Sequence, residues 1–497
     1  MPPFRRLLIA NRGEIAIRVI RACRELGISP IAVHSDADVD SLHVRLADAS
    51  ERIGPPAPAE SYLAIDAIVD AARRSGAEAI HPGYGFLSEN AAFARAVEAA
   101  GLVFVGPPPA TVESLGNKLA ARRGAAAAGV PIVPGTTVAL EEDTGDLAAL
   151  GFPLMLKAAA GGGGRGMRRV ESAAEVGDAL AAARREALSA FGDGTVYAER
   201  LLAPARHVEV QLLGDRHGRL AVVGERDCSV QRRHQKLVEE SPSPAVDPAT
   251  REALFESARR VAATVDFHSA ATVEFLLDAE RRHYFLEMNT RLQVEHGVTE
   301  LVTGLDLVAW QIRIAAGEPI PDEVADAARH GHAIEVRIYA EDPYDGFRPT
   351  PGRITAWQMP AGPGVRVDAG VEGDTDLRPE YDPLLAKLMV HAEDRTAAID
   401  RLRRALDETL IGGVQTDAGF LRWLVDDEAF VSGDYDTGLI PDRWGLDHGV
   451  SRDDALLAAT AALGTRLVTD ARRPRPAAAA DDGSAWGRVA RREARRR

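Results

Sequence analysis

EMNTRLQVE, from Glu287 to Glu295, sets a charged or amide side chain at every second position. Read as a strand, it points Glu287, Asn289, Arg291, Gln293 and Glu295 one way and Met288, Thr290, Leu292 and Val294 the other. Such a face is costly to turn toward a core unless partners or a ligand satisfy it. Upstream, TVEFLLD (Thr272 to Asp278) reads as a second strand, and AERR (Ala279 to Arg282) as a four-residue hairpin loop. Pairing Asp278 with His283 places Glu274 directly opposite Glu287. Facing residues in such a pair lie roughly 4.5 to 5.5 Å apart at Cβ, where two carboxylates repel unless a cation joins them. Hard oxygen donors at that spacing suit Mg²⁺ or Mn²⁺, with Asn289 as a neutral third ligand and nucleotide phosphates completing the shell. A solvated strand edge is the competing reading.

The chain of 497 residues is too long for one core, and about 150 residues per domain predicts three or four domains. A 46% apolar and 27% charged composition fits a soluble globular protein. A net charge of −15 argues against a nucleic-acid partner for the body of the protein. Cys23 and Cys228 are far apart and form no CxxC pattern, so neither a disulfide framework nor a zinc knuckle is indicated. The apolar run in MPPFRRLLIANRGE is too short for a signal peptide, and no later stretch is long enough to span a membrane. A cytoplasmic location is expected.

At the N-terminus RRLLIAN reads as a buried strand, RGEIAIRVIRACRELG as a helix ended by Gly27, and SPIAVHSD as the next strand. This βαβ start is repeated around IDAIVDAARRSGAEAIHPGYG and predicts an open parallel sheet covered by helices on both faces. HPGYGFLSEN (His81 to Asn90) follows a strand end, where ligands gather in such sheets; its glycines equally suit a simple turn. After the break at GPPPA, TVESLGNKLAARRGAAAAGV reads as one helix carrying Lys118, a residue most simply read as solvated.

In GFPLMLKAAAGGGGRGMRRV, Gly161, Gly163 and Gly166 satisfy G-x-G-x-x-G, yet no helix opens there. MRRVES is strand-like, so the glycines join two strands as a flap whose backbone N–H groups can fold over phosphates. Lys157 sits beside that flap. Glu199, His207 and Glu209 follow within apolar or alternating segments, and RDCSVQRRHQKLVEESP concentrates Arg226, Arg232, Arg233, His234 and Lys236. That basic group serves either a local anion or a solvated face. From GHAIEVRIYAEDP onward, Ile334, Val336 and Ile338 alternate with Glu335, Arg337 and Tyr339, and the pattern ends in the helix RTAAIDRLRRALDETL. A separate antiparallel α+β domain is expected. Beyond about Gly445, ALLAATAALGTRL forms one more helix candidate, and the Ala/Pro/Arg-biased remainder reads as a poorly ordered or partner-docking tail.

IANRGEIAIRVIRA, HPGYGFLSEN, KAAAGGGGRGM, ERDCSVQRRHQKLVEE and FLEMNTRLQVEH, in this order, resemble the biotin carboxylases, ATP-grasp ligases that open biotin-dependent carboxylations. The resemblance runs from about Phe4 to Gly445. It implies an α/β and α+β multidomain protein: a Rossmann-like pre-ATP-grasp domain (1–112), an ATP-grasp domain (113–330) with a mobile lid (about 131–203), a C-terminal α+β domain (331–445) and a tail (446–497). The resemblance assigns Glu274, Glu287 and Asn289 to metal, two Mg²⁺ or Mn²⁺ ions being expected. It assigns Lys118, Lys157, Gly163, Gly164, Glu199, Arg200, Leu201, Leu202, His207, Gln231, His234 and Leu276 to ATP. Lys236, Arg291, Gln293 and Val294 match the bicarbonate pocket, Glu295 the general base, and Arg337 with Tyr84 the biotin site.

On that reading the reaction is ATP-dependent carboxylation of biotin through carboxyphosphate, the first half-reaction of an acetyl-CoA or other acyl-CoA carboxylase. No Ala-Met-Lys-Met biotinylation motif occurs, so biotin is expected on a separate carrier protein, with carboxyltransferase subunits as further partners and a homodimer or larger complex as the assembly. The chain departs from the family pattern in a glycine run shortened by Ala160, in Arg200 for a usual lysine, and in Gly297 for a usual proline. Gly297 is expected to add backbone freedom near the base and to slow the enzyme. The alternatives are an ATP-grasp ligase with a non-biotin acceptor, which Arg337 and RRHQK oppose, and a non-catalytic scaffold, which the intact acidic and basic residues oppose.

Overall fold

Leu7 and Ile9 pack into one apolar cluster and Leu8 into another, the two-sided burial that a central parallel strand requires. That strand, β1 (Arg6–Ile9), lies in the middle of a five-stranded sheet with β2 (Ser29–Ser35), β3 (Ala49–Gly54), β4 (Ala79–His81) and β5 (Val103–Phe104), in the order β3-β2-β1-β4-β5. Every pairing is parallel, as the βαβ pattern predicts. Helix α1 (Gly13–Glu25) places Ile15, Val19 and Cys23 against Leu7 and Ile9. The computed structural model describes residues 4–136, 138–140, 147–160 and 166–445. The tail from 446 onward, with its expected helix and arginines, lies outside the described residues, as do Gly163 and Gly164.

The expected single helix after GPPPA is two, Pro109–Gly116 and Lys118–Ala127. Asn117 leaves helical geometry at ψ 107°, and its side chain accepts the Ala120 N–H as an N-cap. The break makes Lys118 the first residue of the second helix. Strands β6 (Leu154–Ala158) and β7 (Met167–Val170) pair antiparallel across the glycine run, and β8 (Val196–Arg200) joins them in a separate three-stranded sheet.

The largest sheet has eight strands. These are β9 (Arg206–Gly214), β10 (Leu220–Arg232), β11 (Gln235–Ser241), β12 (Ser269–Leu277), β13 (His283–Asn289), β14 (His332–Tyr339), β15 (Val365–Ala369) and β16 (Leu384–Ala392). Their order is β13-β12-β9-β10-β11-β14-β16-β15, all antiparallel. The C-terminal strands therefore extend the sheet begun by β9 to β13, because β14 pairs with β11 on one side and β16 on the other. Every residue of β14 is buried, its charged side as fully as its apolar side. Residues 1–444 form one compact unit. Among the described residues no helix is long and apolar enough to cross a membrane.

Candidate active site

Glu274 and Glu287 do face each other across β12 and β13. The turn register differs from expectation: Leu277, not Asp278, pairs with His283, and a bulge between Glu274 and Phe275 restores the pairing of the two glutamates. Strand β13 also stops at Asn289, earlier than the alternation suggested. From Thr290 the chain turns into α2 (His296–Thr303), with Glu295 at its N-cap. The alternating polar side chains still converge, through hydrogen bonds rather than pleat geometry. Asn289 and Gln293 each donate to Glu274 Oε1, at 2.9 and 3.2 Å. Arg291 donates to Gln293 Oε1 at 2.8 Å and to Glu89 Oε2 at 2.9 Å. Glu89, which also accepts the Thr290 N–H, belongs to HPGYGFLSEN, so that loop lines this site as well as turning at positive φ at Gly83 and Gly85.

Lys236 is the hub. Its three protons go to Glu209 at 2.8 Å, Glu274 at 2.9 Å and Glu295 at 2.7 Å, the full donor capacity of an ammonium. Burial disfavours its charge, but Cys228 and these carboxylates hold its pKa well above the lysine range. Burial likewise opposes ionisation of Glu295, and Lys236, Arg337 and Arg226 overcome it, keeping that carboxyl ionised far into acid. Arg337 Nη2 donates to Glu295 Oε2 at 3.0 Å and also contacts Glu239. Beneath them Arg226 is fully buried, bound to Glu209 and, at 2.8 Å each, to Gln211 and Thr299. Of the basic run, Arg226, Arg232 and Lys236 thus find their anions among the protein's own carboxylates.

A second group lies alongside. Lys118 Nζ meets Glu287 Oε2 at 2.5 Å, while Lys157 and Arg122 hold the two oxygens of buried Glu199 at 2.6 and 2.5 Å. His207 bonds Glu274 Oε2 at 2.9 Å, and Leu276 is its cross-strand neighbour. Burial, then Lys157, His207 and Lys118, lower the pKa of His234. His234 and Arg233 form the turn between β10 and β11, both with left-handed φ (68° and 49°). Gln231 donates to the Cys228 carbonyl at 3.4 Å. Arg200 is exposed, and Leu201 and Leu202 are half-buried just past β8. Tyr84 donates to Glu14 on α1 rather than to any residue of the bicarbonate group.

Glu274, Glu287 and Asn289 offer two facing carboxylates and an amide, a donor set that fits Mg²⁺ or Mn²⁺, and both carboxylates are met by ammonium groups that supply the positive charge they need. Two tighter groups of metal-capable side chains, His207–Glu209–Glu274 and Glu209–Cys228–Glu295, leave out Glu287 and share carboxylates with Lys236. Sequence reading did not single out Glu89, Arg122, Glu239 or Lys387. The last had a visible signal, one charge within apolar LLAKLMV.

The comparisons match this architecture throughout. Residues 3–112 fit the family model "Biotin carboxylase, N-terminal domain", residues 117–323 "Carbamoyl-phosphate synthase L chain, ATP binding domain", and residues 335–442 "Biotin carboxylase C-terminal domain". The chain is 50% identical over 440 residues to "Biotin carboxylase" of Halalkalibacterium halodurans, covering 88% of this chain and 97% of that one. It is 44% identical to "Propionyl-CoA carboxylase alpha chain" of Ruegeria pomeroyi, covering 97% of this chain and 76% of the relative. A Campylobacter jejuni biotin carboxylase solved as a β-γ-ATP complex superposes with TM-score 0.86 at 44% identity, over 88% of this chain and 99% of that one. So does the biotin carboxylase domain dimer of the Hydrogenobacter thermophilus 2-oxoglutarate carboxylase, solved with MgADP, ADP and bicarbonate, with TM-score 0.86, 43% identity and coverages of 88% and 97%. With three family models in order and half its residues shared across nearly the whole of a curated relative, the chain belongs to the biotin carboxylase family.

Proposed function

We propose that this protein carboxylates biotin at the expense of ATP and bicarbonate, with Lys236, Arg291 and Gln293 receiving the bicarbonate and Glu295 removing its proton. The observation that carries this reading is the ring of carboxylates on Lys236. An ammonium and a guanidinium set side by side can exchange their present partners, the carboxylates on Lys236 and Gln293 on Arg291, for an incoming anion, next to an ionised acceptor in Glu295. A bicarbonate entering there draws Lys236 toward itself, which releases Glu295 from its strongest counter-charge and raises its proton affinity when a base is needed.

The deprotonated bicarbonate oxygen then attacks the γ-phosphate of ATP, giving carboxyphosphate and ADP, a step governed by positioning and charge neutralisation. Lys118, Lys157, Glu199, Arg200, Leu201, Leu202, His207, Gln231, His234, Leu276 and the flap glycines Gly163 and Gly164 form the nucleotide side of the site. Glu274, Glu287 and Asn289 would hold Mg²⁺ or Mn²⁺, which supplies neutralisation of the phosphates. Carboxyphosphate decomposes to CO₂ and phosphate; the phosphate takes the N1′ proton of biotin, and Arg337 stabilises the enolate that attacks CO₂.

Biotin on a separate carrier protein, a carboxyltransferase partner and a homodimer belong to the same reading. An acyl-CoA carboxylase is favoured: the alignment with the Ruegeria pomeroyi propionyl-CoA carboxylase alpha chain covers 97% of this chain, against 88% for the Halalkalibacterium halodurans biotin carboxylase. ATP hydrolysis in CO₂-depleted buffer with Mg²⁺, measured with and without bicarbonate and free biotin, tests the reaction. Strong turnover only with both is expected. Turnover that needs bicarbonate but ignores biotin points to another acceptor, and no turnover points to a scaffold.

A further inference from the structure

Lys387 on β16 is fully buried, and its placement is unusual for a lysine: Arg337 lies directly opposite it on β14. Two like charges side by side on neighbouring strands repel unless each has its own partners. Arg337 takes Glu295 and Glu239. Lys387 turns elsewhere. Its Nζ donates to the Val294 carbonyl at 2.7 Å and lies 3.3 Å from Glu14 Oε1, and Glu14 in turn accepts from Tyr84.

The Val294 carbonyl belongs to the peptide that leads into Glu295. The backbone of that stretch is held among other points by Glu89, which accepts the Thr290 N–H, by His296 Nδ1 at 2.8 Å from the Gln293 carbonyl, and by Lys387, which donates to the Val294 oxygen. Of these three backbone contacts the last comes from the C-terminal strands, which also hold the Glu295 side chain through Arg337. The charged groups facing Lys387 are Glu14 from α1, Glu335 from β14, Asp368 and Arg366 from β15, and Arg337. Burial opposes the ammonium, and Glu14, Glu335 and Asp368 together outweigh it. A buried cation among that many carboxylates, two of them with oxygens left without a hydrogen bond (Glu14 Oε2 and both oxygens of Glu335), is a costly arrangement to keep for packing alone.

We propose that Lys387 is a positioning residue for the carboxylation reaction: it fixes the Val294–Glu295 peptide, and through Glu14 it ties that peptide to Tyr84, so that the bicarbonate and biotin halves of the site are held in one frame. The inference rests on Glu295 being the base. Misplacement of a reacting group by about 1 Å can cost on the order of a hundredfold in rate, so a loosened peptide should be visible in bicarbonate kinetics.

The test uses the full chain carrying Lys387→Met together with Glu14→Gln, which removes both charges of that pair, while Asp368 keeps its ion pair with Arg366 and Glu335 keeps Arg337 as its neighbouring cation. Expected are a fall of about tenfold or more in kcat/KM for bicarbonate, a higher KM for free biotin, and a KM for ATP within about twofold of wild type. Unchanged bicarbonate kinetics overturn the proposal, as does a rise in the KM for ATP that keeps pace with the other losses, since that pattern marks general damage. Glu295→Gln is assayed beside it; wild-type turnover in that variant sinks the base assignment itself, whatever Lys387 does. If the double variant does not fold, Glu14→Gln alone decides. Because it keeps the bond to Val294, it should spare kcat/KM for bicarbonate and raise the KM for biotin severalfold, whereas equal losses in both, or none in either, overturn the proposal.

Discussion

Gly297 lies two residues beyond Glu295, inside α2, and is fully enclosed. A Cβ at this position would overlap Met389 Sδ on β16 and come to 3.4 Å from Glu335 Oε2. The glycine is therefore a packing feature. Met389 occupies the space a larger residue would need, and the backbone freedom expected from the sequence is limited by the glycine's place inside α2. Gly297→Ala should destabilise the protein by about 1–3 kcal/mol, the usual range for overpacking, measurable as a lower urea midpoint with unchanged slope. Adding Met389→Ala should recover part of the loss. Glu295→Gln makes the complementary case, since it keeps volume and removes only the proton acceptor. It should bind ATP normally and lose bicarbonate-dependent turnover by about 10² or more, read from nucleotide titration and steady-state hydrolysis. Near-normal turnover would assign the proton to another group.

At the scale of elements, the strand pair β12–β13 shows what alternation can and cannot convey. The pairing of Glu274 with Glu287 follows from a count of residues across the loop, and it holds because a bulge cancels a one-residue difference at the turn. Bulges leave no mark in a period-two pattern, so the shift at Leu277 was illegible. So was the end of β13 at Asn289, because QVE continues the alternation while the backbone has already turned toward α2. The helix break at Asn117 was legible in kind, an Asn after Gly at the head of a helical run, though the surrounding alanines masked it. Strand β11 carries a charge whose energetics can be predicted. Glu240 accepts from Arg395 at 2.7 and 3.0 Å, contacts His332 Nε2 at 2.6 Å and accepts from Tyr435. Burial opposes its ionisation, but His332 and Arg395 hold it down at about 2 against an ordinary 4.5. The unfolded chain therefore takes up the proton first as pH falls. The stabilisation is complete above about pH 5 and is lost progressively toward pH 2, about 3 kcal/mol in all at roughly 1.4 kcal/mol per unit. Glu240→Gln should flatten the acid limb of a stability-against-pH curve by that amount.

For the molecule as a whole, the alternation in GHAIEVRIYAEDP reads as the start of a separate antiparallel α+β domain with an apolar and a polar face. The strand has no outward face. Ile334, Val336 and Ile338 enter the core around Leu388, Leu402 and Phe420, while Glu335 and Arg337 face Glu239 on β11 and Glu295 ahead of α2. An alternating strand reads as half-solvated because sequence cannot distinguish water from a charged active site as the neighbour of its polar side. Burial pushes the Glu239 carboxyl up to about 7 and Glu335 well above its ordinary range, so these groups are tolerable only with Arg337 and Lys387 beside them. That dependence makes the C-terminal strands inseparable from the rest of the sheet. A fragment of residues 332–445 would keep Glu335, Arg337 and Lys387 but lose Glu14, Glu239 and Glu295, and it would expose the edge of β14 that pairs with β11. Removing β11 and α2 uncovers the charged face and the paired edge of β14 and takes Leu237 and Val238 out of its core, losses comparable with the whole stability of a domain of that size. The fragment should therefore give no cooperative thermal transition by circular dichroism, and its apolar cluster around the helix Arg395–Glu408 would also lack Val230, Leu237 and Val238. A sharp melt of the isolated fragment would mean that the charged face of β14 is stable in water and that the continuity of the sheet is a matter of geometry alone.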